Sequence, residues 1–241
     1  MIAYIGGKRD SANKILKHIE IGTDQRFYDL CCGSGEISIA LVKKGFEPKR
    51  ITMVDIGPWG LVWEKIGNGK FNQKKFATVC DHFNKSLSIK EWCRQVAKEP
   101  IGPNGLYQFL ILQACSYGGR PILIRDGHFV ISGFREKIDI ESLYRRVVQT
   151  AKLMLGVQGL AKDLRWYKPK ANSVVFCDPP YNKSYYQDYI LPEQINSSRF
   201  YCTYPTPLAE KFIPLHAAKR RGPHHNQIKE EYLSFIGEAS L

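Results

Sequence analysis

The chain has 241 residues, which allows one large domain or one core that carries an insertion. Its composition, 44% hydrophobic and 24% charged, is ordinary for a globular protein, and no apolar run approaches the length of a membrane span. The first ten residues do not have the pattern of a signal peptide, so we expect a cytoplasmic protein without a membrane partner. The net charge of +12 suits a polyanionic partner such as DNA or RNA.

Seven cysteines are spread along the chain, and none of them forms a C-x-x-C pair. Because several lie in apolar runs, we expect buried, reduced thiols and no metal site. These cysteines are Cys31, Cys32, Cys80, Cys93, Cys115, Cys177 and Cys202.

The first 56 residues predict the beginning of a parallel α/β sheet. A helix is expected over 10–20 and a buried strand over 26–30. The tight turn "CCGSG" follows at 31–35, and it leads into a helix over 36–44 that ends at a glycine. A second strand is expected over 50–56.

The middle of the chain, residues 64–150, is polar, basic and predicted to be mainly helical. "SIKE" at 88–91 is a capping box, and the apolar run 106–117 favours a helix, although a strand remains an alternative. Two short β runs around an Asp-Gly pair predict a hairpin over 121–132, and a helix follows over 140–154. We interpret this region as an inserted subdomain.

The α/β pattern then resumes, so the main domain would consist of residues 1–63 and 151–241. The segment from 182 to 199 is short and polar, and we predict no helix there. Four further strands are expected, over 155–160, 173–177, 199–204 and 230–236.

A glycine-containing loop follows the first strand and predicts a nucleoside-type cofactor. Gly33 and Gly35 permit a tight turn and the close approach of a ligand. Asp55 ends the next strand about twenty residues further on, where a carboxylate can accept hydrogen bonds from ribose hydroxyls. Position 38 is Ser rather than the third glycine of the dinucleotide fingerprint, which favours S-adenosylmethionine over NAD.

The motif Asp178-Pro179-Pro180-Tyr181 ends the buried run "SVVFC" and predicts a receptor for an exocyclic amine. In an open α/β sheet, ligands bind beyond the carboxyl ends of the strands, where this motif falls. Two prolines stiffen the loop and leave bare carbonyl acceptors beside the carboxylate. The tyrosine offers a flat face on which a base can stack.

These motifs together resemble the Dam-type DNA adenine N6-methyltransferases, and they occur in the same order over most of the chain. The resemblance implies an α/β, class I methyltransferase fold (Rossmann-like, with a mostly parallel sheet and helices on both faces) and an inserted DNA-recognition subdomain. The segments that carry it are "YIGGK" (4–8), "DLCCGSG" (29–35), Asp55, the hairpin region 113–134, "DPPY" (178–181) and "EEYL" (230–233).

The resemblance also implies roles for individual residues. The catalytic group would be Asp178 with Pro179, Pro180 and Tyr181, acting on a base flipped out of duplex DNA. Residues implied in binding S-adenosylmethionine are Tyr4, Gly6, Gly7, Lys8, Asp29, Gly33, Gly35, Asp55, Asp163 and Asp178.

Basic residues are expected to hold the DNA backbone or read bases, and a hairpin fits a DNA groove. The hairpin region lacks the asparagines typical of enzymes that read GATC, so it does not predict that recognition sequence. Two alternatives remain open, namely the same chemistry on RNA and a catalytically inactive DNA-binding relative. We expect a monomer or weak dimer in a bacterial or phage-infected cell, with a role in restriction–modification. The candidate nucleic-acid contacts are Arg120, Arg125, Lys74, Lys75 and Arg135.

Overall fold

A computed structural model describes residue 8 and the ranges 11–86, 88–179, 198–203, 209–219 and 228–237. The helices within these ranges are α1 (Ala12–Ile15), α2 (Glu36–Lys43), α3 (Pro58–Gly67), α4 (Gln73–Asn84), α5 (Ile89–Lys98), α6 (Gly105–Cys115) and α7 (Ile140–Leu153). The strands are β1 (Arg26–Leu30), β2 (Ile51–Asp55), β3 (Leu123–Arg125), β4 (His128–Val130), β5 (Gln158–Ala161), β6 (Ser173–Cys177), β7 (Ser198–Cys202), β8 (Lys211–Lys219) and β9 (Ile228–Ile236).

Seven strands form one mostly parallel sheet in the order β5-β2-β1-β6-β7-β9-β8. The first five strands in this order are parallel, whereas β9 is antiparallel to both of its neighbours. Strands β2 and β5 follow β1 along the chain and lie on one side of it. Strand β6 and the strands after it lie on the other side of β1. The predicted α/β fold with a mostly parallel sheet is therefore confirmed.

Both faces of the central strands are apolar, as expected for a sheet buried on both sides. In β1, Phe27 packs into the larger hydrophobic cluster on one face, and Tyr28 and Leu30 pack into a smaller cluster on the other. In β6, Phe176 and Val175 divide in the same way. This alternation follows from the two-residue repeat of a strand.

All seven described helices contribute to the larger cluster, which joins the region between β2 and β5 to the sheet. On the opposite face, Leu164 and Tyr167 cover the smaller cluster from a 3-10 turn at Leu164–Trp166. The segment 182–199, for which we predicted no helix, lies outside the described residues up to position 197. No helix in the described ranges is both long and apolar enough to cross a membrane.

Helix α3 and strand β5 approach each other so closely that backbone touches backbone. A Cβ atom added at Gly60 would lie 2.4 Å from the carbonyl oxygen of Asp55, and one at Gly67 would lie 1.8 Å from that of Val157. On the strand, a Cβ atom at Gly159 would lie 2.1 Å from the amide nitrogen of Glu64. Helix α3 also runs without a break through residue 64, the predicted start of the insertion.

Most predicted elements agree with the structure within two or three residues, but the predicted helix over 10–20 is too long. Within the described residues, α1 ends at Ile15. The amides of Lys17 and His18 donate to the carbonyls of Lys14 and Ile15, and such i to i−3 bonds tighten and close a final turn.

One predicted strand is displaced, and one strand was missed. The third strand is displaced to Gln158–Ala161, because Gly156 adopts a φ of 97° in the turn before it. Strand β8 was not predicted at all. It contains Pro214, which the sequence pattern treats as a break but which an edge strand with an irregular register tolerates.

Candidate functional site

The order in which strands are added to the sheet reverses between β1 and β6. The loops that follow these two strands meet at that point. In open α/β sheets such a point forms a crevice at the carboxyl ends of the strands, where ligands bind. The loop 31–35 follows β1, Asp55 ends β2, Asp178 follows β6 and Thr203 follows β7. The fold thus gathers residues from four strands at one edge of the sheet.

The glycine loop has a backbone path that requires glycine. Gly33 and Gly35 have φ values of 48° and 71°, in the left-handed region. At Gly35 there is also no space, because an added Cβ atom would lie 2.5 Å from both Met53 Cε and Trp63 Cζ2. The Trp63 indole nitrogen donates a hydrogen bond of 2.8 Å to the Gly33 carbonyl, so α3 supports the loop from behind.

Three amides of the glycine loop are already used within the protein. Cys32 donates to the Val54 carbonyl at 3.1 Å, and Gly35 donates to the Cys32 carbonyl at 2.8 Å. Gly33 donates to Asp55 Oδ2 at 2.9 Å. Loops that bind phosphate present such amides to the ligand, which these three do not do.

Asp55 holds the glycine loop and the start of α3 together. Its Oδ1 accepts a 2.8 Å hydrogen bond from the Gly57 amide, while Oδ2 accepts from Gly33. Burial raises the pKa of Asp55, and the two amide donors oppose that shift. The next side chain, Ile56, is 72% exposed and gives an apolar surface beside the carboxylate.

Asp29 lies beneath the glycine loop rather than on the open edge. Its carboxyl group is 2% exposed and accepts a 2.6 Å hydrogen bond from the Ser38 hydroxyl in α2. Burial raises the pKa of Asp29 to about 7; the hydrogen bond from Ser38 lowers it, and the negative charges of Asp178 and Asp55 raise it. Asp29 therefore lies behind the loop, and its predicted cofactor contact stays a prediction.

Asp178 has a separate partner for each carboxylate oxygen. Lys8 Nζ lies 2.8 Å from Oδ2, and the Thr203 hydroxyl donates to Oδ1. The Asp178 amide donates to the Leu30 carbonyl at 3.3 Å, which fixes the end of β6 to the end of β1. Lys8 is 5% exposed and Asp178 18% exposed, so the ion pair is largely shielded from solvent.

Asp163 lies near the same edge of the sheet. The Lys162 amide donates to the Asp55 carbonyl at 3.2 Å, which places the residue before Asp163 beside the end of β2. Asp163 is half-buried, and its carbonyl accepts from the Trp166 amide at 3.1 Å. The structure therefore brings Asp163 close to the predicted cofactor residues.

The predicted hairpin is present; Ile124, which pairs with Phe129 on one face, is 48% exposed, so neither face is buried as a whole. Phe129 is buried in the main hydrophobic cluster. On the other face, Leu123 pairs with Val130, and both are more than a third exposed. Arg125 lies two residues after Leu123 in β3, therefore on the same face, and is exposed, as is Arg120 just before the hairpin.

Hydrogen bonds fix both ends of the hairpin to the helices. At the turn, the Gly127 carbonyl accepts from the Ile101 amide at 2.8 Å. At the base, Arg135 donates from Nε to the Ser116 carbonyl at 3.1 Å and from its amide to the Cys115 carbonyl at 2.8 Å. Arg135 therefore supports the hairpin, which gives it a structural function beside the predicted nucleic-acid contact.

The structure does not bring Lys74 and Lys75 to the carboxyl edge. Both lie in the first turn of α4 and are exposed. The preceding helix α3 descends from the carboxyl end of β2 to Gly67, which contacts Val157 at the amino end of β5. Lys74 and Lys75 follow soon after and thus lie towards the opposite end of the sheet.

Pro179 lies directly after Asp178 and is buried. The remaining predicted site residues lie outside the described residues: Tyr4, Gly6, Gly7, Pro180 and Tyr181.

Three neighbours of the site were missed by sequence reasoning: Thr203, Trp63 and Ile56. Thr203 gives no local signal, because its contact with Asp178 depends on the pairing of β6 with β7. Trp63 lies in a helix whose apolar pattern indicates only packing. Ile56 had a usable signal, since it is an apolar residue placed directly after a carboxylate that ends a strand.

Within the ranges that the structure describes, no group of three or more His, Cys, Asp or Glu residues is arranged to hold a metal ion. No protein-family model matches the chain, and comparison with curated proteins finds no match.

Proposed function

We propose that the protein transfers a methyl group from S-adenosylmethionine to the exocyclic N6 amine of an adenine flipped out of duplex DNA. The observation that carries this proposal is the meeting of the glycine loop, Asp55 and Asp178 at the crevice between β1 and β6. A cofactor receptor and an amine receptor thereby lie side by side at the position where α/β sheets bind ligands.

The residues present suit a cationic nucleoside better than a dinucleotide. Three loop amides are used internally, and Asp55 and Asp178 place two carboxylates at this edge of the sheet, which disfavours a pyrophosphate. A carboxylate has about four lone-pair positions, so Asp55 can accept from ribose hydroxyls while it holds its two amides. The exposed side chain of Ile56 offers an apolar contact for a base.

When bound, S-adenosylmethionine supplies an electrophilic methyl group on a positively charged sulfur. The task of the protein is then to hold the substrate nitrogen in line and to make its lone pair available. Asp178 serves this task as an acceptor for the amine hydrogens. Lys8 and Thr203 do not exhaust the acceptor capacity of its carboxylate.

The charge at this site also fits the reaction. The amine nitrogen would become positive as the new N–C bond forms and the bond between the methyl group and sulfur breaks, which leaves a neutral thioether. The nitrogen would then release one proton to solvent. The carboxylate of Asp178 stabilises that developing positive charge, an effect that is stronger where solvent is largely excluded.

The exposed face of the hairpin suits a nucleic-acid groove. Leu123 and Val130 form an apolar surface flanked by Arg125, and Arg120 precedes it. A two-stranded ribbon fits the major groove of DNA, and arginine is the side chain that most often recognises guanine there. Base flipping costs a few kcal/mol, which contacts of this kind must offset.

A methyl-transfer assay tests the proposal directly. Purified protein with radiolabelled S-adenosylmethionine is offered duplex DNA of mixed sequence and, separately, structured RNA. We expect label in DNA as N6-methyladenine, and sequencing of DNA from expressing cells should give the recognition sequence. Transfer only to RNA would favour the RNA alternative, and cofactor binding without any transfer would favour an inactive relative.

Salt dependence of DNA binding tests the role of the hairpin. Arg125→Ala should reduce the slope of log K against log [salt] by about 0.9, because one phosphate contact is lost, or relax sequence preference if the contact is to a base. Lys74→Ala removes one positive charge near the opposite end of the sheet and is the matched control. Equal effects of the two substitutions would contradict the proposal that DNA contacts the hairpin and not the opposite end of the sheet.

A further inference from the structure

Thr203 occupies the first position after β7, beside the end of β6. The parallel register pairs Cys177 with Cys202, so the next residues of the two strands, Asp178 and Thr203, are neighbours. The Thr203 amide donates to the Cys177 carbonyl at 3.3 Å and extends this pairing beyond the strands. Backbone pairing alone therefore places Thr203 next to Asp178.

The side-chain contact has a definite direction. The Thr203 hydroxyl donates its single hydrogen to Asp178 Oδ1, while Lys8 Nζ lies 2.8 Å from Oδ2. Thr203 is 6% exposed, and Asp178 is 18% exposed. Lys8 is similarly buried, at 5% exposed, so two buried partners fix the plane of the carboxylate at two points.

Fixing this plane matters for an acceptor that must meet a flat amine. Rotation of the Asp178 carboxylate about its last torsion angle is broad and weakly restricted in the absence of partners. Lys8 has a long, flexible side chain and by itself leaves much of that freedom. Thr203 is a short side chain on a strand end, and it removes more of this freedom.

We propose that Thr203 is a positioning residue for Asp178: its hydroxyl orients the carboxylate so that the remaining lone pairs face the substrate amine. This inference rests on the proposed amine-methylating function. The role is distinct from catalysis, since Thr203 acts through Asp178 and does not itself contact the reacting atoms.

The test uses Thr203→Val, which keeps the shape and removes the hydroxyl, and Thr203→Ser, which keeps the hydroxyl. We expect Thr203→Val to lower kcat by roughly 10- to 100-fold, as misplacement of a reacting group does, with KM for DNA and cofactor affinity within about twofold of wild type. Thr203→Ser should restore most of kcat. A general loss of structure would instead change KM and cofactor affinity and would not be rescued by serine.

A spectroscopic measurement supplies a reading that does not depend on activity. The 13C carboxyl resonance of Asp178, assigned by its loss in Asp178→Asn, should move in Thr203→Val and return in Thr203→Ser. Thr52→Val is the matched control, because Thr52 is a buried strand threonine that donates to Gln158 at 3.2 Å. It should leave the resonance and kcat unchanged.

The outcomes separate the two proposals. A wild-type kcat in Thr203→Val, or an unmoved Asp178 resonance, would overturn the role of Thr203 even if the enzyme methylates DNA. If the wild-type protein transfers no methyl group to any nucleic acid, the proposed function fails, and the resonance still decides whether Thr203 orients Asp178. Thr203→Ala replaces the valine variant if the latter does not fold.

Discussion

The proposed cofactor side and the proposed target side of the candidate site, called the cofactor side and the target side below, are built in different ways. The cofactor side consists of residues close together in sequence, from Asp29 to Gly57, and most of its hydrogen bonds involve backbone amides. On the target side, Lys8, Asp178 and Thr203 come from three distant parts of the chain and meet through their side chains.

This difference shows where each side is vulnerable. Backbone contacts on the cofactor side depend on conformation, so they are sensitive to glycine substitution and to loss of the one carboxylate that accepts from two amides. Side-chain contacts on the target side can be removed singly without changing the backbone conformation that any residue requires. Substitutions on the two sides should therefore separate cofactor binding and stability from the rate of transfer.

The largest effect should come from the target side. Asp178→Asn should lower kcat for methyl transfer by about 10²–10³-fold or more, because the negative charge that stabilises the developing cation is lost. Cofactor affinity, measured by calorimetry, should change far less. An active Asp178→Asn variant would contradict the assignment of this residue.

The next effect should come from the glycine loop. Gly35→Ala should lower the free energy of unfolding by about 3 kcal/mol, because the new methyl group meets Met53 and Trp63 in addition to the left-handed backbone. Gly45→Ala is the control: it has a φ of 95° but nothing within 4 Å, so we expect a loss of about 1 kcal/mol. Equal losses in chemical denaturation would show that the space at Gly35 is unimportant.

Loss of the carboxylate at the end of β2 should affect the cofactor more than DNA. Asp55→Ala should raise the Kd for S-adenosylmethionine by about 10- to 100-fold, since a charged acceptor for two amides and a ribose disappears. Asp139→Ala is a matched control, because Asp139 accepts from the Ser142 amide as the cap of α7. The control should lower stability by about 1 kcal/mol and leave the cofactor Kd unchanged.

The smallest effect should depend on pH. The pKa of Asp29 is raised to about 7, so between about pH 4 and pH 7 the folded state holds a proton that the unfolded state has released. Ionisation of Asp29 then reduces stability as the pH rises. Asp29→Asn should therefore gain about 1 kcal/mol relative to wild type for each unit that the pH rises between about pH 5 and pH 7.

Exposed Asp81→Asn is the control for this pH series and should show no such trend. A stability difference between Asp29→Asn and wild type that stays constant from pH 4 to pH 8 would contradict the raised pKa.

The cofactor side could be predicted from the sequence because its signals are local. Two glycines and a carboxylate at a fixed distance suffice to predict a loop that contacts the end of the next strand. Asp29 was predicted to contact the cofactor, and the pattern does not reveal that its side chain lies beneath the loop. Its contact with Ser38 depends on how α2 packs against β1.

The target side was only partly predictable. "DPPY" identifies Asp178, but the pairing that brings Thr203 to it depends on strand order. The charges of Lys74 and Lys75 suggested a nucleic-acid contact, yet their direction from the site depends on the path of α3. Strand β8 escaped prediction because Pro214 is tolerated only where a strand lies at the edge of a sheet.

The glycine packing between α3 and β5 has a consequence for the thermodynamics of ligand binding. Gly60 in α3 lies directly against the backbone of Asp55 at the end of β2, so no side chain separates the two elements at the point that carries the carboxylate. The cofactor side therefore has little conformational freedom to lose when a nucleoside binds. Binding there should carry a small entropic penalty, and its affinity should arise mainly from contacts that exist before the ligand arrives.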